Sequence, residues 1–217
     1  MSKKFKIAII DYEMGNIQSI ENAIEHVGEF DIVVTNIKEE IEKADCILLP
    51  GVGAFPDAMH KLQQKGLIEV LNRVVQVEKK PTLGICLGMQ LLFDTSEEIS
   101  LTQGFGWIPG KVIYIRPLAE FRVPHMGWNS LILKREKSLF DYLEKDRDFY
   151  FVHSLYAQCD SQYVLACFDY GEEITAAVQN DNVIGMQFHP EKSQKTGLLA
   201  MKNFLDWAQL YCIKELV

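Results

Sequence analysis

The chain has 217 residues, 48% of them hydrophobic, with 12 Phe, 8 Tyr and 3 Trp, enough to bury the core of one compact domain and too apolar for disorder. Lys and Arg total 22 against 30 Asp and Glu, a net charge of −8. So acidic a surface repels phosphate backbones and argues against nucleic acid as the main partner.

Read from the start, Met1 to Lys6 is basic, but only the four apolar residues Ile7 to Ile10 follow before Asp11, which is no signal peptide. Phe5 to Asp11 reads as a buried strand. Gly15 and Asn16 open a segment with Ile17, Ile20, Ala23, Ile24 and Val27 at helical spacing, and Gly28 stops it. Phe30 to Thr35 predicts a second strand, Ile37 to Ala44 a short acidic helix and Cys46 to Leu49 a third strand. Pro56 to Lys79 is a helical region broken near Gly66. Thr82 to Cys86 predicts a fourth strand and Leu87 to Thr95 a helix. The longest nearly apolar stretch, Thr82 to Phe93, contains Gln90 and is too short to span a bilayer, so no membrane association is expected. Strands alternating with helices predict βαβ units and a parallel sheet.

After Gly104 the texture changes. Lys111 to Ile115, Ser130 to Leu133, Phe149 to His153, Val164 to Phe168, Ile174 to Gln179 and Val183 to Phe188 are short, often alternating runs, linked by turn signals such as Tyr170-Gly171 and Asn180-Asp181-Asn182. They predict antiparallel hairpins, and Thr196 to Cys212 a last helix. No linker or repeat divides the chain, so residues 1–217 read as one α/β domain: a central, mostly parallel sheet flanked by helices, with an antiparallel extension in the C-terminal half. The five cysteines are odd in number and lack CxxC spacing, which argues against a disulfide framework or a zinc ribbon. The expected compartment is the cytoplasm.

Three segments concentrate chemistry. In Gly84-Ile85-Cys86-Leu87-Gly88-Met89-Gln90 a strand runs into a helix through one polarisable residue between small ones, the pattern of a nucleophile elbow. A helix N-terminus there favours thiolate, and the next N–H points where an oxyanion would form. A structural cysteine between packing glycines would read the same way. In Gln187-Phe188-His189-Pro190-Glu191 a strand ends in a His with a Glu two residues on, which supplies a base and the carboxylate to orient it. A lone strand-end His is more often structural; the elbow elsewhere in the chain gives this one a task. Leu49-Pro50-Gly51-Val52-Gly53-Ala54-Phe55 is a strand followed by a Gly-x-Gly turn, able to aim amides into a site or simply to turn. No Lys-Ser/Thr follows, so it is not a P-loop. His26, His60 and His125 show no metal-ligand spacing and read as surface or packing residues. Cys46, Cys159, Cys167 and Cys212 read as core or incidental thiols, and Trp107 and Trp207 as core aromatics. Trp128, in a Gly-Trp-Asn loop, reads as an interface residue.

These motifs carry a resemblance. With DYEMGN at 11–16, LPGVGAF at 49–55, GICLGMQLLF at 84–93, VPHMGWN at 123–129, YFVHS at 150–154 and GMQFHPEKSQKTG at 185–197, the chain resembles the class I (triad) glutamine amidotransferases. Within them it is most similar to the glutaminase subunits of imidazole glycerol phosphate synthases. The resemblance implies ammonia production from L-glutamine for a separate (β/α)8-barrel cyclase subunit in a heterodimer serving histidine biosynthesis, without metal or cofactor. By the family's pattern Cys86 attacks the carboxamide to give a thioester. His189 moves the protons and Glu191 orients it. Leu87 and an amide of the turn Gly51, Val52, Gly53 hold the oxyanion. Gln90, His153, Ser154 and Leu155 match positions that hold the glutamine α-groups. Asn16, Pro124, Met126, Trp128, Tyr150 and Lys192 match positions facing the cyclase. Glu13, Pro56 and Leu155 depart from the usual small residue, glycine and tyrosine, without removing a catalytic group.

Other readings compete. A paralogous glutaminase could feed another barrel synthase, for instance one amidating a surface-polysaccharide sugar. A free-standing cysteine hydrolase or peptidase is disfavoured by the complete HPEKSQ segment. A degenerate binding or regulatory module is disfavoured by the intact Cys86, His189 and Glu191.

Overall fold

The computed structural model describes residues 4–116, 121–136, 138–140, 142–143 and 147–214. Met1 to Lys3, the first part of the basic start, therefore lie outside the described residues. The elements follow in chain order: β1 Lys6–Ile10, α1 Ile17–Val27, β2 Asp31–Thr35, α2 Lys38–Lys43, β3 Cys46–Leu49, α3 Phe55–Gln64, α4 Leu67–Asn72, β4 Thr82–Ile85 and α5 Leu87–Gln90. Then come β5 Phe93–Ser96, β6 Thr102–Gln103, β7 Ile108–Tyr114, β8 His125–Ser130, β9 Ile132–Leu133, β10 Asp148–His153, β11 Leu155–Cys159, β12 Val164–Asp169, β13 Glu173–Asn180, β14 Val183–Met186 and α6 Gln194–Lys214.

An eight-stranded sheet runs in the order β2-β1-β3-β4-β14-β13-β12-β9. Its first four pairings are parallel and its last three antiparallel. The inner parallel strands β1, β3, β4 and β14 are buried on both faces, as crossover helices require, whereas the edge strand β2 is only partly buried. Ile7 and Ile9 of β1 face the core shared with α1 and α6, whereas Ala8 and Ile10 face the core shared with α2, α3 and α4. Two smaller sheets, β10-β8 and β11-β7-β5-β6, complete the C-terminal half.

The predicted helix Leu87 to Thr95 is corrected: α5 ends at Gln90 and Phe93–Ser96 is a strand. Tertiary hydrogen bonding decides this, because the carbonyls of Leu91, Leu92 and Phe93 accept from Phe105, Ile108 and Gly106 instead of continuing a helical ladder. The expected hairpins are also corrected in part. Phe149–His153 pairs with the distant His125–Ser130, and β5 runs parallel to β7. Strand β11, which alternates buried Leu155 and Ala157 with more exposed neighbours, was not anticipated. The two parts of the predicted strand Ser130 to Leu133 belong to different sheets.

The fully buried Asn182, in the turn between β13 and β14, ties the helical end after α4 to the sheet. Its side-chain amide donates to Val75 O at 2.9 Å and Lys80 O at 2.8 Å. Asn182→Ala strands Val75 O and leaves Lys80 O only the Thr82 hydroxyl at 3.0 Å, and is expected to destabilise the protein by about 1–3 kcal/mol. Urea unfolding should show this as a lowered midpoint with an unchanged slope.

Candidate active site

The site lies off the carboxyl ends of β1, β3, β4 and β14, where open α/β sheets place their ligands. Strand β4 delivers Cys86, whose backbone sits at φ 54° and ψ −112°, a conformation that costs a non-glycine residue about 1–3 kcal/mol. The flanking glycines make the turn possible. A Cβ on Gly88 would lie 1.8 Å from Leu49 O, and one on Gly84 would lie 2.6 Å from Gly88 O. The elbow is thus wedged against β3 by backbone contact. The thiol is almost buried, with Val152 O and Gln187 Nε2 each 3.9 Å from Sγ.

Strand β14 leads to His189. Its Nδ1 meets Glu191 Oε1 at 2.7 Å, and both side chains are 2% exposed or less. A carboxylate accepts, so Nδ1 carries the proton and Nε2 is turned toward the thiol side. Nε2 is buried and makes no hydrogen bond, although Cys86 and His189 line the same cavity. Burial opposes the imidazolium, but the Cys86 sulfur and the Glu191 carboxylate together outweigh it and raise His189 from its ordinary value to about 9. His189 therefore holds a proton at neutral pH and can give it to a leaving amine. Backbone bonds brace the pair: His189 N–H donates to Tyr150 O at 2.9 Å, and the Ser193 hydroxyl donates to His189 O at 2.6 Å.

The cavity holds about 260 Å³. It brings together Cys86, His189, Leu87, Val52, Gly53, Gln90, His153, Ser154 and Leu155. Pro124, expected at the partner interface, also lines it, while Gly51 and Glu191 lie behind the lining. Leu87 opens α5, so its N–H has no partner within the helix. The Val52 N–H instead donates to Met14 O at 3.0 Å. Gln90 spends its amide N–H groups on Leu155 O (3.1 Å) and Gln187 Oε1 (3.0 Å), leaving its oxygen as the group to offer a ligand. Asn16, Met126, Trp128 and Lys192 are exposed outside the cavity, and Tyr150 is half-buried. Trp128 and Tyr150 meet edge-on across the outer face of the β8–β10 ribbon.

The departures find roles. Glu13, at φ 66°, sets its carboxylate 2.8 Å from Lys65 and 3.3 Å from Lys61. Pro56 occupies the first turn of α3, where no N–H is needed. Leu155 buries its side chain and serves the site through its carbonyl. Trp107 is buried, whereas Trp207 is only partly so; His26 and His60 are exposed.

Sequence reasoning missed Glu98 and Gln187. Glu98 lines the cavity while accepting the Phe55 N–H at 2.6 Å, and its irregular segment gave no signal. Gln187 sits two residues before His189, so strand alternation could have placed it on the same side. A larger open groove of about 810 Å³, beside Lys38, Met59, His60 and Gln103, contains none of this chemistry.

Comparison with known proteins follows the same lines. A model of the family "Glutamine amidotransferase class-I" matches residues 8–206. Imidazole glycerol phosphate synthase subunit HisH 2 of Vibrio vulnificus is 63% identical over 205 residues, covering 94% of this chain and 96% of that one. A subunit of the same name from Methanococcus maripaludis is 48% identical, covering 93% and 100%. Among solved structures, a putative GMP synthase subunit from Thermoplasma acidophilum shares the fold with a TM-score of 0.72 at 16% identity, covering 100% of both chains. With the family matched over most of its length and a relative of this identity, the chain belongs to the class I glutamine amidotransferases.

Proposed function

We propose that the chain, acting as one domain over residues 1–217, is the cytoplasmic glutaminase subunit of an imidazole glycerol phosphate synthase, passing ammonia to a (β/α)8-barrel cyclase in a heterodimer for histidine biosynthesis. The observation that carries this reading is the strained Cys86 sharing a small cavity with His189, whose Nδ1 is held at 2.7 Å by the buried Glu191 carboxylate. The subunit name borne by the similar proteins supports the choice of acceptor.

Glutamine enters with its carboxamide toward Cys86. Its α-ammonium finds the Glu98 carboxylate and the Gln90 oxygen, and its α-carboxylate the 153–155 wall. The Cys86 sulfur, its proton passed to His189, attacks the carboxamide carbon, and the oxyanion forms opposite the Leu87 N–H. His189 protonates the nitrogen, the C–N bond breaks, and ammonia leaves behind a γ-glutamyl thioester. His189 then takes a proton from water, the hydroxide so formed attacks the thioester, and the C–S bond breaks to release glutamate and return Cys86 and His189 to sharing one proton.

The second oxyanion donor must be freed. While the Val52 N–H bonds Met14 O it cannot serve the hole, so activity waits on a flip of the Gly51-Val52-Gly53 turn. Met126 and Trp128, 64% and 49% exposed, give the outer face of β8 an apolar docking surface beside Tyr150. Asn16 and Lys192 flank the mouth through which ammonia passes. Docking of the liganded cyclase would favour the flipped turn, which spares glutamine until an acceptor is present.

Cys86→Ala should abolish glutamine hydrolysis while the complex still works with ammonium salts. Normal glutamine turnover in this variant would sink the assignment. Glu191→Gln keeps the shape but not the charge, so kcat should fall by about 10³–10⁴ with glutamine binding changed far less, as steady-state kinetics would show. The isolated chain should hydrolyse glutamine weakly and be strongly stimulated by the cyclase carrying its ligand. Trp128→Ala should reduce that stimulation while Cys86 still reacts with an alkylating reagent. Full ligand-independent activity in the isolated chain would refute the coupling.

A further inference from the structure

We propose that His125 is a positioning residue for glutamine: the N–H it donates to His153 fixes the ring that holds the Leu155 carbonyl, and with it the 153–155 wall of the pocket. The inference rests on the reading of the cavity as a glutamine site. His125 on β8 lies directly across from His153 on β10. Its Nδ1 is 3.2 Å from His153 Nε2, and His153 Nδ1 is 2.8 Å from Leu155 O. A carbonyl oxygen only accepts, so His153 must carry its proton on Nδ1. Its Nε2 is then an acceptor, and His125 must donate from Nδ1. The relay has one direction.

It ends where the two sides of the pocket meet. Leu155 O accepts from His153 and also from Gln90 Nε2, which in turn reaches Gln187, whose amide points at the Cys86 sulfur. His125 does not line the cavity and touches no reacting atom; it acts through His153. Burial keeps both rings neutral, lowering His125 to about 4 and, against the opposing bond to the Leu155 carbonyl, His153 to about 3. Each neutral ring therefore has a single N–H, and the relay uses both.

Packing alone does not account for an imidazole here. The His125 ring sits among Phe151, Phe168 and Tyr170 at centroid distances of 5.3, 4.9 and 4.3 Å. A phenyl ring would fill that space without burying polar nitrogens, which is costly unless they are bonded.

His125→Phe keeps the aromatic stack and removes the donor. His125→Asn gives up the stack but places an amide N–H where Nδ1 was. In the complex with the cyclase and its ligand, H125F should raise the KM for glutamine about three- to tenfold, the worth of a buried hydrogen bond, with kcat little changed. H125N should keep KM close to wild type. A wild-type KM in H125F, or the same rise in both variants, would overturn the proposal. ¹⁵N NMR of the wild-type complex decides independently of whether the variants fold: both rings should be neutral Nδ1–H tautomers, and an Nε2–H on His153 would overturn the relay. Because the spectra do not depend on turnover, absence of any glutaminase activity would refute the proposed function, while the tautomers would still decide for or against the relay.

Discussion

The backbone at Cys86 is the constraint from which the rest of the site follows. A non-glycine residue at positive φ persists only when its surroundings over-determine it. Here β4 is locked between β3 and β14, and the Cys86 N–H is held by Met186 O at 2.8 Å. The short helix α5 then presses its Gly88 onto the end of β3. That same strand end begins the Pro50 turn, and the Tyr12 hydroxyl fastens it from below by donating to Pro50 O at 2.6 Å. Cys86 and the Gly51-Val52-Gly53 turn are thereby placed by one packing contact. A side chain at Gly88 would displace both.

Burial acts on three histidines of this site with opposite outcomes, and the partner decides which. His189 faces a buried carboxylate and the Cys86 sulfur, and it holds its proton far above the ordinary range. His125 and His153 face each other, rings and a carbonyl, and burial drives both down. The sheet architecture sets those partners. Pro190 fixes the turn that folds Glu191 back onto His189, whereas cross-strand register sets His125 against His153. Neighbouring strands thus hold one ring that keeps its proton despite burial and two that burial leaves neutral.

What the sequence made legible was local. The parallel half of the sheet alternates with helices of clear period, and each of its strands lies within a residue or two of its expected bounds. Cys86, His189 and Glu191 were legible because elbow, strand end and turn are short-range patterns. Phe93 to Ser96 was not, because apolar residues after α5 fit either element until the distant Phe105 to Ile108 segment claims the carbonyls. Glu98 was invisible for a similar reason. Its carboxylate matters only because the fold carries it to the Phe55 amide, 43 residues away in sequence. His125 looked like packing, which is half of its environment. The other half depends on the register of two strands that are not neighbours in the chain.

The two-stranded ribbon β8–β10 is where these threads join. Among the described residues it pairs as a strand with neither of the larger sheets, so side-chain packing more than backbone ladders holds it in place. Its inner face carries His125, Phe149, Phe151 and His153, packed on Phe168 and Phe188 of the main body. Its outer face carries Met126, Trp128 and Tyr150. Successive residues of a strand point to opposite faces, so His125 and Met126 cannot move independently. The Tyr150 carbonyl also receives the His189 N–H, which ties His189 to the same ribbon. A load applied to the outer face is therefore borne within one residue by the pocket wall, and within one hydrogen bond by His189. Any communication between a docked partner and bound glutamine that uses this route needs no movement of the main sheet.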